Sequence, residues 1–254
     1  MKINKSIEWL EEYSKMASIC WLNDDEFMIE NVRNFQYIDI ENVIPQWDNR
    51  TYKISNLQKI DLVISYWKGN AIAHVFLTFG FNNGQWLSVS IETRRKKNQK
   101  WSAFAGFYPT YPLVYVVADE RDLIGVRCDI RKERVSLYPL KLSLMQQQTL
   151  LRSYLLRINE LHTKPEWYNT LFNNCTTNIL RHGKEVSPSL KFNWKVMLSG
   201  FSDAYCYELG LLDQQYTFSH LKKMSIIHRN KDDLIDSNFS ENIRNRLLIT
   251  KGII

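Results

Sequence analysis

Apolar and polar residues alternate along much of the first half of the chain, with the two-residue period that is typical of β-strands. These runs predict strands at residues 35–40, 61–67, 71–81, 86–93, 113–118, 123–130 and 135–140. Before them, apolar positions separated by charged ones from Ile7 to Trp21 predict an amphipathic helix over residues 6–22. The first half of the chain is therefore expected to form a helix followed by a meandering sheet.

The apolar spacing changes to a helical one after Ser143. Apolar residues three and four positions apart from Leu151 to Leu161 predict a long helix, and a second helix is expected to begin near Asn174. Further helical segments are expected over residues 194–210 and 239–247. Because the strands come first and the helices follow, we predict an α+β domain with helices packed on one side of a mainly antiparallel sheet.

The composition is that of an ordered globular protein, with 44% hydrophobic residues and only 9 Gly and 6 Pro in 254 residues. The formal net charge of +6 favours an anionic partner only weakly, because basic and acidic residues are mixed along most of the chain. The densest basic run, from Arg94 to Lys97, is expected to be a solvated loop, with contact to phosphate or lipid head groups as the alternative. No aromatic-basic motif accompanies this run, so a nucleic-acid partner is not expected.

The sequence shows neither a membrane span nor a secretory signal. The best candidate for a span, residues 104–118, is interrupted by Pro109 and Pro112 and falls short of the roughly 20 apolar residues that a spanning helix needs. Acidic residues at positions 8, 11 and 12 lie where a secretory signal would need an unbroken apolar stretch. These features alone do not determine the cellular compartment of the protein.

The four cysteines lie far apart in the sequence and do not form the close pairs that mark structural zinc or a redox dithiol. No metal and no cofactor is therefore expected. Cys20, Cys128 and Cys206 are interpreted as small buried apolar residues, with Cys128 inside the strand predicted over residues 123–130. Cys175 differs, because every residue from Asn173 to Asn178 around it is polar.

The strands predicted over residues 71–81 and 86–93 are close enough to form a hairpin, and their core-facing residues determine its register. Core residues face each other only if Leu77 pairs with Val89, which places the loop at Asn82-Asn83-Gly84. A three-residue loop that ends in Gly is a favoured hairpin connection. A two-residue Asn83-Gly84 turn is rejected, because it would pair Leu77 with Ser90 and turn one strand inside out.

This register places His74 directly opposite Glu92, at a cross-strand Cβ separation of about 4.5–5.5 Å. A carboxylate at that distance can accept a proton from one imidazole nitrogen and leave the other nitrogen free to act as a base. Taken alone, the pair is better interpreted as a structural histidine on a half-buried sheet face. The presence of Cys175 elsewhere in the sequence favours a catalytic histidine instead.

Cys175 is predicted to lie in the first turn of a helix, because the asparagines before it are helix-capping residues. The free N–H groups of a first turn lower the pKa of a thiol and can stabilise an oxyanion. We therefore predict a nucleophilic Cys175 with His74 as its base and Glu92 as the group that orients the histidine. Asn174, Thr176 and Tyr168 are expected to lie beside the nucleophile and the oxyanion.

Several motifs around these residues are similar to those of the Lnb N-terminal periplasmic domain family, which is named for a lipoprotein N-acyltransferase. The resemblance covers about residues 29–247, and its motifs are Asn31-Val32-Arg33-Asn34-Phe35, Ser65-Tyr66-Trp67, Ile72-Ala73-His74, Ser90-Ile91-Glu92-Thr93-Arg94, Tyr115-Val116-Val117-Ala118-Asp119-Glu120-Arg121-Asp122, Tyr168-Asn169-Thr170-Leu171, Asn173-Asn174-Cys175-Thr176-Thr177-Asn178, Gly200-Phe201-Ser202-Asp203 and Glu208-Leu209-Gly210-Leu211-Leu212-Asp213.

The resemblance implies a circularly permuted papain-like (NlpC-type) fold and an acyl transfer through a thioester on Cys175. The acyl donor in the family is a phospholipid, and the acceptor is the amine of a lipoprotein. A thiol hydrolase acting as a peptidase, amidase or lipase would use the same residues and stays open, as does a non-catalytic module that binds anions or lipid. Arg94, Glu120 and Arg121 could bind an anionic substrate or form a structural ion-pair network.

The predicted organisation is an N-terminal helical extension over residues 1–28, an Lnb-type catalytic domain over 29–247 and a C-terminal tail over 248–254. The expected partners are an acyl donor and an amine acceptor, with peripheral membrane contact left open. The resemblance points to a periplasmic or membrane-associated protein, and without it the absence of a signal would point to the cytoplasm.

Overall fold

The computed structural model of the protein describes residues 7–39, 42–102, 104–230 and 232–250. The strands are β1 (Ser18–Trp21), β2 (Glu26–Arg33), β3 (Gln36–Tyr37), β4 (Val43–Ile44), β5 (Trp47–Lys53), β6 (Leu57–Lys68), β7 (Ile72–Phe81), β8 (Trp86–Thr93), β9 (Leu113–Ala118) and β10 (Arg134–Pro139). The helices are α1 (Glu120–Gly125), α2 (Leu144–Thr163), α3 (Cys175–Val186), α4 (Trp194–Met197), α5 (Ser202–Glu208), α6 (Phe218–Met224) and α7 (Phe239–Thr250).

Most of these strands belong to one mixed sheet. Within the described residues its order is β1-β2-β9-β8-β7-β6-β10, with β5 also paired to β2, and β3 and β4 form a separate two-stranded sheet. Every pairing is antiparallel except a single contact between β2 and β9 at Arg33 and Ala118. The fold is therefore α+β with a mainly antiparallel sheet, as predicted.

Helices cover both faces of this sheet, so the prediction that they pack on one side is wrong. On one face, Leu151 and Leu155 of α2 pack into a core with Leu77 of β7. On the opposite face, Phe239 and other residues of α7 pack into a second core with Phe76. Neighbouring residues of a central strand point to opposite faces, and because both faces here are apolar, each needs a covering layer.

The N-terminal segment forms a strand instead of the helix predicted over residues 6–22. Only Glu11–Tyr13 is helical, as a single 3₁₀ turn, and β1 pairs with β2 from Ser18 to Trp21. Ile19 is buried and Cys20 is exposed, which is the alternation of an edge strand. Residues 1–28 are therefore not a separate extension, because β1 and the start of β2 belong to the main sheet and the proposed boundary divides β2.

The segment predicted as a strand over residues 123–130 is helical. Asp119 caps α1 by accepting a hydrogen bond from the backbone N–H of Arg121, and a π-helical turn continues over Val126–Ile130. Leu123 and Ile124 are both buried in the second core, and adjacent residues can share a buried face on a helix but not on a half-exposed strand. Asp119, a helix-capping residue directly before α1, was the sequence signal for a helix, but the apolar run that follows favoured a strand.

The other predicted elements are confirmed with small changes. α2 begins after a Ser143 capping box and α3 after an Asn174 capping box. The helical segment expected over 194–210 is divided into α4 and α5 by a turn at Ser199–Phe201. β3 covers only part of the strand predicted over 35–40, and Ile40 lies outside the described residues. α7 continues to Thr250, so the predicted tail begins inside a helix, and residues 251–254 are not described.

Candidate active site

The hairpin between β7 and β8 has the register and the loop that the sequence predicts. Leu77 pairs with Val89 and Phe79 with Leu87, and Gly84 closes the loop at a φ of +80°. A left-handed residue at the end of such a loop strongly favours glycine.

The two strands separate immediately beyond Leu77 and Val89, where their ladder ends. From there β7 stays paired with β6, so that Ser65 lies opposite His74, and β8 stays paired with β9. The predicted backbone pairing of His74 with Glu92 is therefore not formed. Their side chains meet across the opening instead, with Nε2 of His74 3.1 Å from Oε1 of Glu92.

A third side chain, Ser90, lies between the histidine and the carboxylate. Its Oγ is 2.6 Å from Nε2 of His74 and donates to Oε1 of Glu92 at 2.8 Å. With the Ser90 proton directed at Glu92, Nε2–H of His74 is the donor to Oγ. Arg127 donates to the same Oε1 at 3.0 Å and lies over the ring of Phe76. Glu92 is thus fixed by a serine, an arginine and the histidine.

Cys175 is the first residue of α3, with its side chain in the space that the separated strands leave. Its thiol lies close enough to the His74 side chain and to the backbone N–H of Val75 for both groups to lower its pKa. Because Nε2 of His74 faces Ser90 and Glu92, Nδ1 is the nitrogen left for the sulfur. Cys175 is only 7% exposed and also packs in the core of the α2 face.

Charge interactions favour the ionised form of each of the three groups. Burial lowers the pKa of His74, but the charge of Glu92 and hydrogen bonds to Cys175 and Glu92 outweigh it and raise the pKa to about 9. Burial raises the pKa of the Cys175 thiol, and the contacts with His74 and Val75 N–H outweigh it, so that the pKa falls below its usual value. Burial likewise raises the pKa of Glu92, but His74 and Arg127 hold it well below its usual range. These shifts favour a thiolate beside an imidazolium.

The Lnb N-terminal periplasmic domain matches residues 44–204, which include His74, Glu92 and Cys175. The chain belongs to the Lnb N-terminal periplasmic domain family. No curated protein and no solved structure matches it. The match indicates a periplasmic domain. No helix within the described residues is both long enough and apolar enough to cross a bilayer.

Two of the residues expected beside the nucleophile of this Lnb domain are engaged in holding α3. Asn174 accepts from the backbone N–H of Thr177 and donates to the carbonyl of Thr170. The Thr176 hydroxyl is within hydrogen-bond distance of Oδ1 of Asn174 and of the carbonyl of Val196. Their side chains therefore position Cys175 and are not free to bind an oxyanion.

Tyr168, the third of these residues, lies near the reactive groups. Burial raises the pKa of its phenol above the usual value, and the charges of Cys175 and Glu92 raise it further. The phenol therefore stays protonated and can act as a hydrogen-bond donor.

The three residues considered for binding an anionic substrate have structural partners instead. Arg94 donates to the carbonyls of Tyr13 and Ser14 and lies over the ring of Trp9. Glu120 is fully buried and accepts from Arg244 and Thr78, and Arg121 donates to Asn34. Glu120 thus forms an ion pair with Arg244, whereas the contacts of Arg94 and Arg121 named here are with neutral groups.

Sequence reasoning missed Ser90 and Arg127. Ser90 could have been found, because it lies two residues before Glu92 and shares its face of β8. Arg127 could not have been found in this way, because its segment was interpreted as a strand and its side chain would then have been assigned to the wrong element.

An apolar groove lies along α3 beside this site. It has a cavity volume of about 90 Å³ and opens to solvent, and its lining is almost entirely apolar. Two of its lining residues are neighbours of the candidate nucleophile: Val75, whose N–H contacts the sulfur, and Thr176. From there the groove continues past Ile179, Leu180, Gly183 and Leu190.

Proposed function

We propose that the protein is a cysteine acyltransferase in which Cys175 carries the acyl group as a thioester. The observation that carries this proposal is the contact of the Cys175 thiol with His74, whose other nitrogen faces Ser90 and Glu92. A nucleophile in contact with a base, and a base oriented by a third group, form the arrangement on which covalent acyl transfer depends.

In the first half-reaction, the Cys175 thiolate attacks the carbonyl carbon of an ester donor and the carbonyl oxygen takes the negative charge. Asn174 caps the N–H of Thr177, so the N–H groups of Cys175 and Thr176 are available to this oxyanion at the start of α3. The carbon–oxygen ester bond then breaks, and His74 gives its proton to the departing alkoxide. The products are an alcohol and the Cys175 thioester.

In the second half-reaction, an amine attacks the thioester carbonyl. Neutral His74 removes a proton from the amine nitrogen, the carbon–sulfur bond breaks, and the thiolate returns beside the imidazolium. Glu92 holds the ring in position and stabilises its positive charge, through the direct contact and through Ser90. The amide product leaves, and the three groups are again in their starting state.

The apolar groove supports a long aliphatic acyl group over a peptide as the substrate. A peptide backbone carries a donor and an acceptor at every residue, and a groove with almost no polar lining cannot satisfy them. A hydrocarbon chain needs no such partners, and its burial is favourable in proportion to its apolar area. We therefore propose a phospholipid as the acyl donor and the amine of a lipoprotein as the acceptor, in the periplasm.

We further propose that the domain is a permuted papain-like fold. This proposal is supported by the order of the site along the chain, because the histidine strand β7 precedes the cysteine helix α3. The packing of the helix start against that strand is also what a thiol-histidine pair requires.

The function is tested by incubating the protein with phospholipid vesicles and measuring its intact mass. The expected result is the addition of one acyl group, mapped by peptide digestion to Cys175 and absent from the exposed Cys20. Cys175→Ala should show no adduct, and Cys20→Ala should behave as the wild type. If Cys175 stays unmodified by every ester donor while a small alkylating agent still reaches it, acyl transfer is excluded.

The fate of the adduct separates a transferase from the hydrolase that uses the same residues. A short peptide with an N-terminal lipidated cysteine should discharge the thioester and acquire the acyl group as an amide. Discharge at the same rate in buffer alone, with free fatty acid as the product, would identify a hydrolase.

A further inference from the structure

The exposed apolar side chains of this protein are concentrated in four short segments. Twelve of the twenty large apolar side chains found exposed in the described part of the chain lie within residues 67–72, 101–108, 167–172 and 192–198. We call these four segments the apolar rim. Its most exposed members are Phe172 (78% exposed), Phe104 (72%) and Tyr108 (58%), and Trp194 is 55% exposed. Exposed apolar residues concentrated in this way mark an interaction surface.

Three of the four segments contact one another beside the start of α3. The backbone N–H of Thr170 donates to the carbonyl of Gly106 at 2.9 Å, and the rings of Trp67 and Trp101 meet at 5.5 Å between centroids. Thr170 lies five residues before the candidate nucleophile. These three segments therefore form one surface close to the start of α3.

The fourth segment is held next to His74 and Cys175 by contacts with the backbone. Ser199, which follows it directly, accepts from the backbone N–H of Ala73 and donates to the Ala73 carbonyl, next to His74. The carbonyl of Val196 accepts from the Thr176 hydroxyl, next to Cys175. The apolar rim is thus attached to both residues of the candidate thiol-histidine pair.

Charge distinguishes the apolar rim from a surface built to bind another protein. Lys68, Lys100 and Lys191 are exposed within its segments or directly beside them, and none of the residues in the four segments is Asp or Glu. Lys195 is paired with Glu208, and the one acidic residue that directly adjoins a segment, Glu166, is paired with Arg157. Aromatic residues that enter the head-group region, together with lysines and without acidic residues, are the composition that anionic membrane surfaces select.

We propose that the apolar rim docks on an anionic phospholipid surface and so presents Cys175 to the ester carbonyls of the lipids. The use of the docked lipid as acyl donor rests on the proposed function, whereas docking requires no chemistry. Aromatic side chains that reach the boundary between head groups and acyl chains lie at the depth of those ester bonds. The groove along α3 would then receive the acyl chain as it leaves the bilayer.

Docking is tested by sedimentation of the protein with vesicles of phosphatidylglycerol and phosphatidylethanolamine, with phosphatidylcholine vesicles for comparison. The protein is the Cys175→Ala variant, so that no adduct contributes to binding. Phe104→Ser, Phe172→Ser and Trp194→Ser should each weaken partitioning on the order of tenfold. Ile38→Ser and Leu234→Ser, at 68% and 71% exposure outside the apolar rim, are the matched controls and should leave partitioning unchanged.

A second arm tests the electrostatic contribution. Lys100→Gln and Lys191→Gln should weaken binding to anionic vesicles and make it less sensitive to salt, because each lysine near an anionic surface contributes favourably. The exposed Lys59 in β6 provides the control Lys59→Gln, which should bind like the parent.

Three outcomes would overturn the docking surface: equal losses in the rim variants and the controls, equal binding to neutral vesicles, or self-association through the apolar rim in analytical ultracentrifugation. Failure of docking is distinguishable from failure of the proposed function. If docking holds but wild-type Cys175 acquires no acyl group, only the acyltransferase is excluded. If Cys175 is acylated by soluble esters but the protein does not bind vesicles, only the docking surface is excluded.

Discussion

The candidate site depends on side chains whose ionised forms stabilise one another. His74 and Glu92 are each 18% exposed, so water screens their interaction only in part. The position of Cys175 at the start of α3 adds the field of unpaired N–H groups. A thiolate next to an imidazolium follows from this geometry, and it determines what each substitution should do.

Removing each of the three groups should have a different effect. Cys175→Ala should abolish acyl adduct formation. His74→Ala should lower the acylation rate on the order of 10²–10⁴-fold, because the proton donor and the charge partner of the thiolate are both lost. Glu92→Gln should leave a measurable rate, since the nucleophile and the base remain. The measurement is the rate of acyl-enzyme formation from a soluble ester, with circular dichroism to confirm folding. A Glu92→Gln protein as inactive as Cys175→Ala, with a thiol that still alkylates normally, would show that Glu92 takes part in the chemistry directly.

The raised pKa of His74 should set the upper limit of the pH range for acylation. The imidazolium that protonates the leaving alcohol persists above the usual histidine range and is lost as pH rises through about 9, so acylation should fall there. Alkylation by iodoacetamide needs no such proton and should continue. In Glu92→Gln the charge that raises the His74 pKa is gone, and the fall should move to lower pH. An upper limit that does not move in this variant would mean that another group controls it.

At this scale the sequence was informative where residues are linked by local rules. The capping asparagines predicted the place of Cys175 at the start of a helix. The hairpin register predicted that His74 and Glu92 lie close together, although their side chains meet without the predicted backbone pairing. The contact between Cys175 and His74 was a hypothesis, because no local rule joins residues so far apart in the chain. The contact of Arg127 with Glu92 could not be predicted, because it depends on the tertiary packing of a helical turn.

At the level of elements, the separation of β7 from β8 creates the site. A continuous ladder would have paired the N–H of Val75 with β8, whereas here that group faces Cys175 and lowers the pKa of its thiol. The register of the hairpin was predictable from its apolar residues. The separation of the two strands was not predictable, because it follows from the packing of α3 and of the two flanking strands. The spacing of apolar residues carries no information about that packing.

The errors in element type share one physical cause. In residues 6–22 and 123–130, short apolar runs fit both a strand and a helix, and tertiary context decided between them. Edge pairing with β2 selected a strand for the first run, and the Asp119 cap with burial on α7 selected a helix for the second. The 20-residue helical pattern of α2 left no such ambiguity.

Filling the groove along α3 should change which acyl chains are accepted. Ile179 lines the groove one turn beyond Cys175, so Ile179→Trp should slow acylation by long-chain esters and leave acetyl esters unaffected. Glu185→Trp places the same side chain on an exposed position of the same helix and is the control. The measurement is the ratio of acylation rates for a short and a long p-nitrophenyl ester. An unchanged ratio in Ile179→Trp would show that the acyl chain lies elsewhere.

The whole molecule is a sheet covered on both faces, and the two layers have different tasks. The α2 and α3 layer carries Cys175 and the groove, whereas α7 closes the opposite face and lies beyond the residues matched by the family. The prediction of an α+β domain needed only the order of strands and helices. The second layer was missed because burial of both sheet faces becomes evident only when the strands are assembled.

Arg244 should be a large contributor to stability and irrelevant to the chemistry. This residue of α7 lies over the ring of Trp86 and donates to the carboxylates of Asp61 and Glu120, which are almost completely buried. Arg244→Met removes the only cation that hydrogen-bonds either carboxylate in the described part of the chain, and an uncompensated buried charge costs about 3–5 kcal/mol of unfolding free energy.

The loss should be smaller at pH 5 than at pH 7. Burial raises the pKa of Asp61, and Arg244 opposes it, so without the arginine the carboxyl can be protonated at a higher pH and the buried charge disappears. Urea denaturation at the two pH values measures this difference. Arg246→Met, on the same helix as Arg244, breaks a more exposed ion pair with Asp233, which lies before that helix. It is the control and should cost only about 0–1 kcal/mol. In both variants the folded protein should acylate Cys175 at the wild-type rate, because Glu120 and Arg244 contact the sheet on the side away from the thiol. The acylation rate of Arg244→Met is measured at a urea concentration where the protein is fully folded. A lower rate there would indicate that Glu120 binds substrate, contrary to what its structural partners indicate.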